Sequence, residues 1–134
     1  MSAAEILQPA HWARPRGYAN GVAVGRGRQV FIAGMIGWDA DGVFHGDDFA
    51  TQARQALANI VDVLREAGGR PEHIVRMTWY VVDKKEYLAA EREVGVVHRE
   101  IIGRHYPPMT PVQAAALMED EAVVEIKVTA VVPA

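Results

Sequence analysis

Hydrophobic residues recur in two rhythms along this chain, and each change of rhythm marks a new element. Residues 21–46, "GVAVGRGRQVFIAGMIGWDADGVFHG", read as β structure. Val22 and Val24 precede a glycine-rich turn at Gly25, Arg26 and Gly27, and "QVFIAG" supplies an apolar partner. The segment therefore reads as a hairpin with an extension. "DADG" at 39–42 is a second turn, since Asp and Gly accept the backbone angles of tight turns. At residues 48–67 the spacing becomes helical: Phe49, Ala53, Ala56, Leu57, Ile60, Val61 and Leu64 form one apolar face. Asp47 or Asp48 can cap its first turn, and Gly68 and Gly69 end it.

The rhythm returns to alternation at residues 73–82, "HIVRMTWYVV", which are rich in β-branched and aromatic types. Ile74, Arg76, Thr78, Tyr80 and Val82 share one side, with Val75, Met77, Trp79 and Val81 on the other. A second helix is predicted over roughly residues 84–103, with Tyr87, Ala90, Val94, Val97 and Ile101 as its core stripe. Strands follow at 112–117 and 122–132. In the last, Val124, Ile126, Val128, Ala130 and Val132 alternate with Val123, Glu125, Lys127, Thr129 and Val131.

The order β-β-α-β-α-β-β predicts one α+β domain over residues 1–134, with two helices on one face of a mixed sheet. The opposite face carries Glu125, Lys127 and Thr129 among valines. A half-apolar surface of that kind is expected to be covered by other subunits.

Composition narrows the chemistry. Half of the 134 residues are hydrophobic and 23% are charged, an ordinary globular balance. There is no cysteine, so thiol catalysis and thiolate metal sites are excluded. The net charge is −3 and no basic run occurs, which argues against a nucleic-acid partner. Neither a signal-like start nor a membrane-length apolar run is seen, so a cytoplasmic protein is expected.

Two carboxylates are candidates for chemistry. On the second helix, Glu91 and His98 fall inside the apolar arc, seven residues apart on one face. Glu91 reads as a general base or substrate clamp, or as a partner in an intersubunit ion pair. Glu125 lies mid-strand between Val124 and Ile126. It could orient a water or accept from a substrate amine, or pair with Lys127 of a neighbouring chain or with Arg76. The five histidines show no metal-binding spacing, and no metal or cofactor is expected. "GVAVGRG" lacks dinucleotide-binding spacing, and Ser2 is the sole serine.

Six stretches in order, "GYANGVAVG", "VFIAGMIGWD", "QARQALANIVDVL", "IVRMTWYVVD", "YPPMTPVQ" and "VVEIKVTAVV", together resemble the Rid family of reactive intermediate deaminases, also called YjgF-like proteins. The resemblance implies a chorismate-mutase-like subunit, a homotrimer, and three ligand clefts between neighbouring subunits. Members with the deaminase signature hydrolyse enamines and imines such as 2-aminoacrylate without a cofactor. Some relatives were described as ribonucleases, an activity that the acidic balance here disfavours.

The same resemblance identifies departures. The deaminases carry P-A-R-S where this chain has "PPMT", so Met109 stands at the carboxylate-clamping arginine and Thr110 at the serine. Ala33 stands where serine is frequent, Glu91 near an asparagine, and Tyr18 and Glu125 match cleft-lining positions. A thioether offers neither the charge nor the paired donors of a guanidinium. The expectation is a divergent member that takes a neutral or cationic, partly apolar ligand. Glu91 and Glu125 would be acid/base or amine-binding groups, Tyr18 a hydrogen-bonding wall and Met109 an apolar floor. Arg14 or Arg16 could replace the missing clamp. Hydrolysis of a C–N bond and a non-catalytic, metabolite-binding trimer with a regulatory or protective role both fit.

Overall fold

The computed structural model describes residues 4–134. Nine main elements follow one another. They are β1 (Glu5–Leu7), β2 (Gly21–Ala23), β3 (Arg28–Ile36), α1 (Phe49–Glu66), β4 (Ile74–Val81), α2 (Lys84–Ala89), α3 (Glu91–Ile101), β5 (Met109–Gln113) and β6 (Val124–Val132). A mixed sheet runs in the order β3-β6-β4-β5, while β1 and β2 form a separate antiparallel ribbon. Strands β4 and β5 are parallel, which requires a crossover; α2 and α3 supply it. The class is α+β, with the helices gathered over one sheet face.

Helix α1 begins where Asp48 accepts the Thr51 N–H at 3.0 Å. It ends where the N–H groups of Gly68 and Gly69 return to the carbonyls of Arg65 and Leu64, with Gly68 at φ 73°. Its apolar face is buried, with Leu57, Ile60 and Leu64 wholly enclosed and Val61 at the edge. Each such side chain contributes about 1.5–3 kcal/mol. Gln52 is buried beside them although it is polar. It donates to the carbonyls of Gly46 and Glu121 and accepts from the Val123 N–H, which ties α1 to the start of β6.

Several sequence expectations shift. The 21–46 hairpin does not form: β2 pairs with β1, and β3 pairs with β6. The nine-residue β6 matches β3 along most of its length and shares its apolar face, which the three-residue β2 cannot do. Ile74 joins the core rather than the side of Arg76, because the β4–β6 register slips between those two residues. The second helix breaks at Ala90 (φ −95°, ψ 5°), whose N–H faces the carbonyls of Glu86, Tyr87 and Leu88. Nothing in the local sequence, neither Gly nor Pro, accounts for the break. Strand β5 starts at Met109 rather than at residue 112, because residues 109–113 pair alongside Met77–Val81.

Candidate functional site

The start of β5 is pinned from two sides. The Met77 N–H donates to the Pro108 carbonyl at 2.9 Å, and the Ala19 N–H reaches the Pro107 carbonyl at 3.4 Å. The first contact seats β5 beside β4, and the second draws the Arg16–Tyr18 turn against it. Between this corner and the crossover helices lies a cavity of about 550 Å³.

Met109 opposes Met77 in register and packs against the core on the helix side, so it contributes to the cavity floor together with Trp79. Trp79 is buried, and its Nε1–H has no acceptor among the described residues. One wall is a helical face on which Tyr87, Glu91, Val94, Gly95 and His98 recur at near-turn intervals. Arg16, Tyr18 and Tyr106 complete the rim.

Burial pushes the Tyr87 phenol above its ordinary range, and the negative charge of Glu91 adds to the effect. Glu91 itself is exposed rather than enclosed in the apolar arc, because its stretch of helix borders the open cavity. His98 is buried. Its ring stacks on Tyr106 with centroids 5.1 Å apart, and Nε2 lies 2.7 Å from the His105 carbonyl. Burial holds its pKa below the ordinary 6.5. His105 in turn bonds the Ile74 carbonyl at 2.7 Å, so the end of α3 is tied to the start of β4.

Of the residues selected from sequence, Tyr18, Glu91, Met109 and Thr110 line this one cavity. Arg16 lines it as well, whereas Arg14 lines a neighbouring cavity beside the β1–β2 ribbon. Ala33 and Glu125 are elsewhere. Glu125 alternates with the buried Val124 and Ile126, which places it on the opposite sheet face, in register with Tyr80 and Ile36. There it overlies a bulge in β3 between Ile32 and Met35 that contains Ala33 and Gly34. A Cβ on Gly34 would fall 2.7 Å from the Glu125 carboxyl carbon, so a larger residue there would shift the carboxylate from its present place. Within one chain the sheet thus separates Glu91 from Glu125.

Sequence reasoning did not select Trp79, Tyr87, Gly95 or Tyr106 as lining residues. The four-residue step from Tyr87 to Glu91 and on to Gly95 was the signal available; reading Tyr87 only as core concealed it. The cavity offers an aromatic interior with a carboxylate and a guanidinium at its mouth. That combination suits a small ligand carrying both an apolar body and a polar nitrogen group. Among the described residues no three potential metal ligands converge, and no helix is long and apolar enough to cross a membrane.

The sequence pattern described as "Endoribonuclease L-PSP" matches residues 12–132. A RutC family protein of Synechocystis is 30% identical, covering 96% of this chain and 97% of its own. The human 2-iminobutanoate/2-iminopropanoate deaminase is 27% identical, covering 78% of this chain and 73% of its own. The crystal structure of a Rid-family protein of unknown function from Yersinia pestis superposes with a TM-score of 0.85 at 29% identity, over 96% of this chain and 98% of that one. A YjgF/YER057c/UK114-family structure from Mycobacterium tuberculosis gives 0.64 at 35% identity, over 87% and 88%.

Proposed function

This chain belongs to the Rid family, the endoribonuclease L-PSP group, and from that premise we propose that it assembles as a homotrimer whose clefts hydrolyse a C–N bond in a small neutral or cationic enamine or imine. The observation that carries this reading is Met109: an uncharged thioether on the cavity floor, among Trp79, Tyr87 and Val94. The human relative is named for two imino acids, each of which carries a carboxylate. A floor without a guanidinium serves such an anion poorly, since charge-assisted bonds are worth about 1.5–3 kcal/mol. The cation on the lining is Arg16, out at the exposed rim.

The separation of the two carboxylates supports an intersubunit site. Glu91 opens on the helix-side cavity and Glu125 on the bare sheet face, so they can serve one ligand only if they come from different copies. In the proposed reaction Glu91 holds the ligand nitrogen, and an enamine first tautomerises to the imine. Glu125 of a neighbour takes a proton from water, and the hydroxide adds to the C=N carbon. The proton on Glu125 then passes to nitrogen to give a carbinolamine. Its O–H proton moves through Glu125 to the same nitrogen, so that the C–N bond breaks as C=O forms, and a carbonyl compound and ammonia leave. Tyr18 and Thr110 would orient the ligand, and Ala33 would leave space beside Glu125. Neither metal nor cofactor enters the scheme.

The exposure of Glu91 favours a second reading, a trimer that binds a metabolite without turning it over. Ammonia release separates the possibilities. Enamine formed in situ by a dehydratase supplies 2-aminoacrylate, and enamines without a carboxylate supply the contrasting set. The wild-type protein is expected near background on 2-aminoacrylate and active on the uncharged set. Met109→Arg should gain activity on 2-aminoacrylate by about tenfold or more, the scale of one charged contact. Efficient wild-type turnover of 2-aminoacrylate would sink the proposal. Saturable binding of the uncharged set with no ammonia would leave the second reading.

A further inference from the structure

Gly95 stands in the middle of α3, where glycine costs a helix stability relative to alanine. Helix packing does not demand it: a Cβ at this position would meet no atom within 4 Å. The contrast with Gly34, Gly37 and Gly69 is direct, because a Cβ there would strike a neighbour at under 3 Å. What Gly95 does border is the 550 Å³ cavity. It lies one turn beyond Glu91 and three residues before His98, whose ring is already held parallel to Tyr106.

We infer that Gly95 is a specificity-determining position, which opens a subsite for a flat aromatic or similarly bulky apolar group on a ligand whose nitrogen lies toward Glu91. Tyr87, Trp79, Tyr106 and His98 line the same cavity as Gly95, so the space that the missing side chain leaves opens onto an aromatic lining. Such rings attract another ring through offset stacking as well as through burial. A three-carbon imine would occupy only a small part of this volume. The inference rests on the reading of this cavity as the ligand site, and it assigns the ligand class within it.

The test uses the intact assembly and two probes: indole, which is aromatic and uncharged, and tryptamine, which adds an ammonium. NMR titration should show both binding the wild type. Gly95→Leu should weaken both by about tenfold or more, the scale on which a pocket discriminates small apolar groups. Gly95→Ala should weaken them less while raising the melting temperature, which separates filling of the pocket from damage to the helix. Glu91→Gln should weaken tryptamine and leave indole unchanged. Failure of indole to bind, or equal binding by Gly95→Leu, overturns the subsite. Binding of indole with no preference for tryptamine leaves the subsite standing and removes the amine-holding role of Glu91.

Discussion

The two faces of the four-stranded sheet are built from the same strands read at alternate residues, yet they have opposite fates. On one, Ile32, Met77, Trp79, Ile126 and Val128 disappear beneath the helices. On the other, Phe31 is 71% exposed, the Lys127 ammonium lies over the Tyr80 ring at 5.9 Å, and Arg76 donates to the Thr129 hydroxyl at 3.2 Å. The covered face supplies stability, and a gap at its α3 edge is the candidate cavity. The bare face holds a carboxylate and long polar side chains that the helices leave uncovered. Alternation tells which residues stand together; it does not tell what stands over them.

The largest effect is expected on the covered face. Ile126→Ala removes a fully enclosed side chain and should cost about 2–5 kcal/mol, read from the urea midpoint. A loss below about 1 kcal/mol would mean that the face is less tightly closed than it looks.

A smaller effect should come from the titratable group on that side. His98 is held below its ordinary 6.5 by burial, so the unfolded chain takes up a proton more readily than the folded one. Stability is therefore lost as pH falls below about 6.5 toward the depressed folded value. Asp39 and Asp48 are held below 3.8, mainly by side-chain hydrogen bonds to His45 and Thr51, and so act only at more acid pH. Urea midpoints taken at about pH 7.5 and about pH 5.5 should fall for the wild type and change less for His98→Phe. Equal slopes would assign the acid sensitivity to another group.

The smallest effect on the subunit itself is expected on the bare face. Phe31→Asp should shift the stability of an isolated subunit by no more than about 0.5 kcal/mol. The same change places a charge in what the trimer reading makes an interface. Light scattering should then give a lower mass than for the wild type. An unchanged mass would mean that the copies do not meet through this face.

Legibility differed element by element. Helix α1 was readable to within a residue because its cap, its apolar stripe and its terminal glycines are all local and agree. Strand β6 was readable because alternation is unbroken over nine residues. The six family stretches were readable together, since a run of matched segments in order carries information that none has alone. The Ala90 break was not, nor were the register slips at Ile32/Met35 and Ile74/Arg76. Each register slip depends on a partner strand distant in sequence. Of the candidate residues, Tyr18, Glu91, Met109 and Thr110 border one cavity, while Glu125 and Ala33 lie across the sheet, a placement that no local pattern carries.

From its residues alone this protein has a family, an α+β class, its main elements and the identity of the side chain at the corner before β5. Those follow from short-range rules of spacing, capping and matched segments. Pairing partners, the sidedness of the two glutamates and the hollow beside Gly95 came only with the folded chain. They arise from contacts between segments tens of residues apart, and periodicity within one segment contains no measure of what its neighbour across the sheet will leave empty.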